Sequence, residues 1–303
     1  MIDLVVPPGL PPMRLDRFVA DRIAGASRRR LRGAAFRLNG RPAKPATPVK
    51  PGDIVSIPDV LAPTGDLQPN PEPKLPILHQ DIDLVAIDKP PGLASVALRA
   101  DELETVANFL LAAFPETRTA GRPLEAGLLH RLDHDTSGVL VAALNADAYA
   151  NLRRQFSSRR VEKEYVALVV GDVGEARRID APIAHDRRHQ DRMIVCAEAR
   201  RAQDLRARPA STRLRPVVRY GRATLVQVSM RTGVRHQIRV HLAFAGHPIL
   251  GDRIYGAPAE NLIRRHALHA CRVKLAHPTS GEPLTIESRL PPDFEAALKR
   301  LKK

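Results

Sequence analysis

The chain has 303 residues, 44% of them hydrophobic and 27% charged, which is enough for a catalytic domain of about 200 residues and one small module. No run approaches the roughly 18 apolar residues that span a bilayer, and the N-terminus lacks the pattern of a secretory signal. Two cysteines exclude a disulfide framework and a cysteine zinc cluster. These features predict a soluble protein without membrane contact, in the reducing cytoplasm.

Positive charge is the strongest feature of the composition. The formal net charge is +15, and such an excess attracts polyanions because binding releases the counterions of their phosphates. Residues 14–50 hold eleven Arg or Lys against two acids, a net of +9 in 37 residues. This segregation favours a nucleic-acid partner over the alternative, an arginine-rich composition spread over solvated faces.

Residues 1–60 are predicted to form a small separate module. Apolar residues recur at helical spacing within 15–23, and Ser27 is placed to cap a second helix with an arginine face. The Asn-Gly pair at 39–40 is typical of a tight hairpin turn, and a strand is predicted at 54–57. The basic residues expected to contact nucleic acid are Arg28, Arg29, Arg30, Arg32, Arg37 and Arg41.

This order of elements resembles a known RNA-binding module. Two helices followed by a small hairpin, with the stretches RLNGRPAK and KPGDIVSI, resemble the S-four-type RNA-binding domain named for a ribosomal protein. The resemblance implies that RNA is the polyanion. The structural alternative is a small helical cap on the larger domain.

A linker and a larger domain follow. Residues 61–76 hold five prolines and little hydrophobic periodicity, which predicts a semi-rigid extended linker. Residues 77–303 are predicted to form one catalytic domain of the α+β class, with a mixed, mainly antiparallel sheet, because adjacent strands lack intervening helices. The predicted strands cover 84–87, 138–144, 165–170, 224–230 and 284–286, and the predicted helices cover 103–114, 147–157 and 236–245.

Two conspicuous blocks border predicted strands of this domain. Residues 85–93 lead a strand into a turn stiffened by prolines, which indicates a structural role, and Lys89 is assigned no catalytic role. Residues 129–140 place His, Arg, Asp, Thr and Ser side chains beside a buried strand, where functional groups are often found. By residue type alone, this block fits a catalytic loop, a salt-bridged turn or a metal site.

The second block has a specific resemblance. His-Arg-Leu-Asp at 130–133, followed after two residues by Thr-Ser-Gly at 136–138, resembles the central motif of the RluA-type pseudouridine synthases. The family converts uridine in RNA to its C-glycoside. The resemblance implies that Asp133, and not the nearby Asp135, is the catalytic carboxylate. It also implies that Arg131 is the arginine that can enter the gap left by a flipped base.

Two further blocks are similar to the same family. Lys163 and Tyr165 share one face of a predicted strand, and the resemblance implies that Tyr165 packs against the target base. The resemblance also implies that Arg239, in the stretch His-Gln-Ile-Arg, pairs with the catalytic aspartate. The family commonly has arginine directly after Thr-Gly, where this chain has Val234 followed by Arg235, so the role of that arginine stays open.

The predicted site therefore has Asp133, Tyr165 and Arg239 as catalytic residues. The side chains expected to bind the uridine are His130, Arg131, Thr136, Lys163, Arg235, His236 and Gln237. A fifth block at 265–270 resembles a C-terminal element of the family and is interpreted as structural.

The implied chemistry sets requirements for this site. Isomerisation breaks one glycosidic bond and forms another without redox change, so no cofactor and no metal ion are expected. Enclosure disfavours an ionised carboxylate and a nearby guanidinium favours it, so Arg239 is expected to keep Asp133 charged. The uridine must be flipped out at a cost of a few kcal/mol, which Tyr165 and Arg131 are expected to offset in part. Asp133 has three routes open: attack on the ribose, attack on the uracil ring, or removal of a ribose proton.

Two alternatives come from other classes of protein. One is a noncatalytic RNA-binding or ribosome-assembly protein, and the other is a metal-dependent phosphoesterase that uses His130, Asp133 and His134. Within the favoured class, ribosomal RNA is preferred over transfer RNA because of the added basic module. We expect a monomer, since one chain can supply the whole site. Residues 187–215, with nine arginines against three acids, are interpreted as a solvated loop, with RNA contact as the alternative.

Overall fold

The structure is a computed structural model that describes residues 2–23, 31, 34–58, 66–99, 101–256 and 262–302. The chain divides into two compact units. The first comprises Met1–Lys74 and Val96–Gly127, and the second comprises Leu75–Ser95 and Leu128–Lys303. The domain boundaries predicted at residues 60 and 76 stay predictions, and the two units differ from them in grouping 96–127 with the N-terminal segment.

Short strands and a helix form the N-terminal part of the first unit. They are β1 (Ile2–Val5), β2 (Met13–Arg14), α1 (Leu15–Ala20), β3 (Phe36–Leu38), β4 (Arg41–Ala43), β5 (Pro48–Val49) and β6 (Ile54–Ile57). One sheet has the order β1-β6-β3-β4, and β2 pairs with β5. Helix α1 buries Leu15, Phe18 and Val19, the apolar residues with helical spacing, in the core beneath this sheet.

The predicted hairpin turn joins β3 to β4. Asn39 and Gly40 have φ angles of 51° and 78°, a left-handed pair that these two residue types tolerate best. The Asn39 side chain also accepts a hydrogen bond from the Ile54 N–H and donates one to Asp53. The turn is therefore tied to β6 as well as to its own strands.

Two of the six predicted RNA-contacting arginines of this unit lie in the described residues. Arg37 and Arg41 are exposed on the β3–β4 hairpin. The helix predicted after Ser27 lies outside the described residues apart from Leu31, as do four of the arginines: Arg28, Arg29, Arg30 and Arg32.

Residues 66–74 of the predicted linker belong to the first unit. Segment 96–127 contains α2 (Val106–Ala113) and a 3-10 turn (Pro115–Arg118). The Asn108 side chain donates to the carbonyl of Gln68, and the Asn70 N–H donates to the carbonyl of Asn108. These bonds between the end of the linker and α2 explain why the two segments group together.

One large sheet dominates the second unit. Its elements and their neighbours are β7 (Ile77–Gln80), β8 (Leu84–Lys89), β9 (Ser137–Ala143), α3 (Ala146–Ser157), β10 (Glu162–Val170), β11 (Arg177–Asp180), β12 (Ile183–His185), β13 (Met193–Val195), α4 (Ala199–Asp204), β14 (Ser211–Arg219), β15 (Ala223–Met230), α5 (Gln237–Phe244), β16 (Leu268–Ala276), β17 (Pro283–Glu287) and α6 (Pro292–Leu301). The strand order is β11-β14-β15-β10-β16-β9-β8-β7, with β17 paired to β16.

The pairing in this sheet confirms the predicted fold class. All the strand pairs that the structure describes there are antiparallel except β9 with β16, which is parallel. Strands β8 and β9 are almost wholly buried, and α3 covers them with Ala148 and Leu152. Strands covered on both faces need nearly unbroken apolar sequence, so these strands could be recognised in the sequence. No helix among the described residues is long and apolar enough to cross a bilayer.

The interpretation of residues 187–215 as a solvated loop is wrong in part. Strands β12 and β13 pair as a hairpin, α4 follows, and β14 joins the large sheet. We name residues 183–208 the arginine insert. Its hairpin is anchored by Met193, which is buried with Val234 and Val240. Helix α4 buries no residue, so it lacks the apolar periodicity by which sequence reveals a helix.

Candidate active site

The loop of residues 129–136, here named the polar loop, lies where β8 ends and β9 begins. Gly138 pairs with Lys89 on one side and with Ala270 on the other. A Cβ atom at Gly138 would lie 2.2 Å from the carbonyl oxygen of Ala270, and its φ is +114°. Glycine alone permits this close approach. It brings the start of β16, and the residues before it, next to the polar loop.

Lys89 is buried and holds the polar loop from β8. Its Nζ donates to the carbonyl oxygens of Pro90, Leu93 and His134, at 2.7, 2.8 and 2.9 Å. Burial lowers the pKa of Lys89 to about 7, although nearby Asp135 acts to raise it. The side chain is thus a structural bracket between the proline turn after β8 and the polar loop.

Arg265 holds the same loop from the β16 side. Its Nη1 donates to the carbonyl oxygen of Asp135 at 2.9 Å, and its Nη2 donates to the Ser137 hydroxyl at 3.2 Å. The same guanidinium pairs with Asp293 of α6 at 2.7 Å. Because a guanidinium has donors in several fixed directions, one residue joins the loop, β9 and the C-terminal helix.

Two buried histidines complete this support. His266 Nε2 lies 2.7 Å from the Thr136 hydroxyl, and His269 Nδ1 lies 3.0 Å from the Ser137 hydroxyl. Burial lowers the pKa of His266 to about 4, so the ring is neutral near pH 7. Thr136, one of the predicted uridine contacts, is buried and hydrogen bonds to His266.

Asp133, on the polar loop, pairs with Arg239 of α5. The two side chains meet at 2.9 Å, and the Asp133 side chain keeps 25% of its surface exposed. Arg239 is 5% exposed and also forms a two-pronged pair with Asp252, at 2.7 and 2.8 Å. Asp252 is fully buried and accepts the N–H groups of Ile254 and Tyr255. One buried guanidinium therefore connects an enclosed carboxylate to an accessible one.

The charges in this group stabilise one another. Burial alone would lower the pKa of Arg239, but hydrogen bonds to Asp252 and Asp133 raise it above the usual arginine value. Burial would raise the pKa of Asp252, but the bond from Arg239 lowers it. Arg239 and Asp252 thus stay charged at neutral pH, and the guanidinium remains beside Asp133.

Tyr165 and Lys163 both lie on β10. Tyr165 is 4% exposed, and burial and then nearby Asp133 raise its pKa, so the phenol keeps its proton. Lys163 donates to the carbonyl oxygen of Thr232 at 3.0 Å, and burial lowers its pKa to about 8. Tyr165, which was predicted to be a catalytic residue, therefore lies near the carboxylate of Asp133.

His236 begins α5 beside Asp133. Its backbone is left-handed, with φ 55°, and its Nε2 lies 3.9 Å from an Asp133 oxygen. On the other side of the ring, Nδ1 lies 2.9 Å from the hydroxyl of Tyr255, which accepts the Met193 N–H at 2.7 Å. Burial lowers the pKa of His236 to about 4, so a neutral imidazole stands next to the carboxylate.

The remaining predicted uridine contacts differ in exposure. Arg131 and Arg235 are exposed, whereas Val234, in the place of the family arginine, is buried with Met193. The ring of His130 stacks on a phenylalanine and its Nε2 accepts the N–H of Val141. Arg235, the residue after Val234, is thus the side chain at this point of the loop that is exposed to solvent.

Gln237 has protein partners for both ends of its amide. Its Nε2 lies within hydrogen-bond distance of the carbonyl oxygen of Ser211 and of the hydroxyls of Thr212 and Thr232, and its Oε1 accepts the Val234 N–H. The structure does not bring this amide into the group around Asp133. It fixes the loop that leads into α5.

Sequence reasoning gave no site role to several residues that hold this arrangement together. They are Lys89, Asp252, Tyr255, Arg265 and His266. One feature of the structure explains part of this arrangement: a Cβ atom at Gly251, the residue before Asp252, would lie 2.2 Å from the carbonyl oxygen of Arg265. Glycine permits this close backbone approach, which the sequence alone does not distinguish from an ordinary turn glycine.

One group among the described residues has side chains close enough for a metal ion: Asp81, Asp83 and His277, at the far end of β8 from the polar loop. Nδ1 of His277 accepts N–H groups of Thr279 and Ser280. A neutral ring then has its proton on Nε2, which donates to Asp81 at 3.2 Å. These contacts describe a hydrogen-bonded turn, since a protonated nitrogen cannot bind a metal ion.

The chain is similar in sequence to proteins of one family. Residues 83–244 match the family described as RNA pseudouridylate synthase. The chain is 35% identical to ribosomal large subunit pseudouridine synthase D of Nitrosomonas europaea, over 99% of this chain and 88% of that protein. It is 38% identical to an uncharacterized RNA pseudouridine synthase of Chloroflexus aurantiacus, over 98% of this chain and 93% of that protein.

A solved structure agrees with these matches. The chain resembles human RNA pseudouridylate synthase domain containing 4 with a TM-score of 0.58 and 29% sequence identity. The likeness covers 75% of this chain and 93% of the human one. Fold and sequence thus point to the same family.

Proposed function

This chain belongs to the RNA pseudouridylate synthase family, and from that membership we propose that Asp133 is its catalytic carboxylate and that large-subunit ribosomal RNA is its substrate. Members of the family are isomerases that act on uridine in RNA.

The main support for Asp133 as the catalytic carboxylate is the Arg239 guanidinium, which it shares with Asp252. A nucleophile or base must be ionised and accessible at the same time, and enclosure works against ionisation. Arg239 supplies the counter-charge at 2.9 Å, while Asp252 holds that arginine in place from the buried side. Asp133 alone of the two carboxylates keeps an exposed surface that a ribose or uracil ring could reach.

The surrounding side chains suit a uridine that has left its helix. Tyr165, kept protonated near Asp133, offers a ring face to the uracil, as aromatic side chains do for unstacked bases. Arg131 is exposed on the polar loop and can fill the gap in the helix. Arg235, also exposed, takes the position next to Val234 for contact with the RNA backbone.

Large-subunit ribosomal RNA is the favoured substrate for two reasons. Relatives from Nitrosomonas europaea and Xanthomonas campestris, at 35% and 33% identity, are named ribosomal large subunit pseudouridine synthase D. The excess of basic residues at 14–50 also suits a large folded RNA. We propose that the protein acts as a monomer in the cytoplasm, where ribosomal RNA is modified, and that it uses no cofactor.

Pseudouridine mapping of total RNA tests the proposal. Cells that lack the gene are complemented with the wild type, with Asp133→Asn, or with the matched control Asp135→Asn, whose carboxylate is two residues away and bonds to His134. We expect one or a few ribosomal uridines to be restored by the wild type and the control, and not by Asp133→Asn. Restoration by Asp133→Asn would overturn the assignment of Asp133 as the catalytic carboxylate. If the restored sites lay only in transfer RNA, the assignment of ribosomal RNA as the substrate would be wrong.

A further inference from the structure

A groove opens on the arginine insert. It has a volume of about 440 Å³ and is lined by Arg187, Arg188 and Arg201, with Ile194 and Leu205 as its apolar part. The three arginines are exposed. Guanidinium groups beside an aliphatic surface fit a nucleotide unit, because the arginines can bind the phosphate while the sugar and base cover the aliphatic side chains.

The arginines of the groove lack the partners that other surface arginines have. Within the described residues, no carboxylate forms an ion pair with Arg187, Arg188 or Arg201. Arginines elsewhere on the second unit do form such pairs: Arg178 with Asp180, Arg219 with Asp172, Arg231 with Glu162 and Arg272 with Glu287. The charge of the groove is therefore available to an anion.

Two aspartates also line the groove and offset part of its positive charge. Asp186 accepts the backbone N–H of Arg188 at 2.8 Å, so its carboxylate is engaged by the turn. Asp204 contributes its backbone carbonyl to the Arg187 guanidinium at 2.8 Å. Three arginines against two aspartates leave the lining positive, and further exposed arginines of the insert add to it: Arg192, Arg200, Arg206 and Arg208.

The insert is attached directly to the side chains around Asp133. Next to Ile194 in the groove, Met193 donates its N–H to Tyr255, whose hydroxyl contacts His236, which stands 3.9 Å from Asp133. Three consecutive polar contacts thus join the groove strand to the carboxylate. The insert therefore lies close to Asp133, within reach of the nucleotides that flank a uridine bound there.

We propose that the groove of the arginine insert binds the RNA strand that flanks the target uridine, through its phosphates and the ribose or base between them. The inference rests on the proposed function, since it assumes that RNA reaches Asp133. It assigns to residues 183–208 a part in substrate binding that is separate from the chemistry.

Two triple variants test the groove. Arg187→Gln, Arg188→Gln and Arg201→Gln are combined in one protein, and Arg289→Gln, Lys299→Gln and Lys302→Gln in the control, so each loses three exposed positive charges. Pseudouridine formation is measured on transcribed large-subunit ribosomal RNA. We expect the groove variant to raise KM about tenfold or more with kcat within twofold of the wild type, because phosphate contacts supply affinity. The control is expected to change KM less than threefold.

Binding of a labelled 20-nucleotide single-stranded RNA gives a second measurement. The slope of log affinity against log KCl concentration is expected to fall by about two in the groove variant, since each lost phosphate contact on a single strand removes about 0.7. Equal effects of the two variants on KM and on the slope would contradict the proposal that RNA binds in the groove. A fall in kcat with unchanged KM would overturn it too. A wild type that binds RNA in this way but forms no pseudouridine would refute the proposed function and leave the groove supported.

Discussion

The polar loop carries Asp133 and the arginine insert lies beside it, but the two segments are held in place in opposite ways. In the polar loop, backbone carbonyls accept hydrogen bonds from Lys89 and Arg265, both buried. In the arginine insert, one hairpin is anchored by Met193, and helix α4 buries nothing.

The difference reflects what each region must do. A carboxylate that reacts with one atom of a substrate has to be held in a fixed position, because small displacements cost large factors in rate. Charges that attract a phosphate chain act over several ångströms and tolerate movement. Stability should therefore be sensitive to substitutions around the polar loop and insensitive to substitutions on the surface of the insert.

The largest effect is expected at Gly138. In Gly138→Ala, the new methyl group would lie 2.2 Å from a backbone oxygen of β16, at a φ of +114° that alanine rarely adopts. Strain and overpacking together should lower the free energy of unfolding by about 4 kcal/mol or more. Gly174→Ala is the matched control, since nothing lies within 4 Å of a Cβ atom there. Urea unfolding of both variants measures the difference, and equal stabilities would contradict the close approach of β9 and β16.

Arg239 should come next, because both carboxylates depend on it. Arg239→Gln is expected to reduce kcat by about a hundredfold or more and to destabilise the fold by about 3 to 5 kcal/mol, since Asp252 becomes a buried charge without its partner. Adding Asp252→Asn should restore part of the stability and none of the activity. Single-turnover kinetics and urea unfolding on both variants separate the two effects, and recovered activity in the double variant would refute the role of the guanidinium.

Lys89 gives a prediction that depends on pH. The folded pKa is about 7 against an ordinary value of 10.5, so between these pH values the unfolded chain holds a proton that the folded protein has released. Raising the pH through this window should therefore stabilise the wild type relative to Lys89→Met, by at most about 1.4 kcal/mol per pH unit.

Urea unfolding at pH 7, 8 and 9 measures this difference. The exposed Lys299→Met is the control, and its difference from the wild type should stay constant with pH. A constant difference for Lys89→Met as well would mean that the three carbonyl partners keep the ammonium charged.

The smallest effect is expected on helix α4 of the insert. Arg200 and Gln203 are exposed there, and no side chain of the helix is buried. Replacing both with alanine should change the free energy of unfolding by no more than about 0.5 kcal/mol, as is usual for surface positions. A loss above 1 kcal/mol, measured by the same urea titration, would show that the helix has packing partners and would weaken the contrast with the polar loop.

Local pattern accounts for the parts of the fold that were predicted from sequence. The apolar runs of β8 and β9, the Asn39-Gly40 turn and the helical periodicity of α3 lie where they were expected, with element ends shifted by three residues or fewer. In each case neighbouring residues determine the structure, because burial on both faces, left-handed φ or one apolar stripe is set within a few positions.

The supporting residues could not be predicted in the same way. Arg265 bonds to a carbonyl 130 residues away. The contact of Arg239 with Asp133, across 106 residues, was expected only from the family resemblance and not from local pattern. The contact of Arg265 exists because β9 pairs in parallel with β16 at Gly138, and no local sequence pattern predicts that pairing. The prediction of a loop in the arginine insert was wrong for a related reason. Its hairpin packs on Val234 and on Val240 of α5, and its helix has no apolar face.

The sequence by itself determined the kinds of functional groups in this protein. They are a polar loop ahead of a buried strand, an arginine within a predicted helix, a tyrosine in a predicted strand and a strong positive charge. Each depends on residue type and short spacing. The tertiary structure alone decided which carboxylate is buried with Arg239 and which stays accessible, that Lys89 is a bracket, and where the insert lies. Those outcomes depend on strand pairing and burial, which follow from the packing of the whole unit.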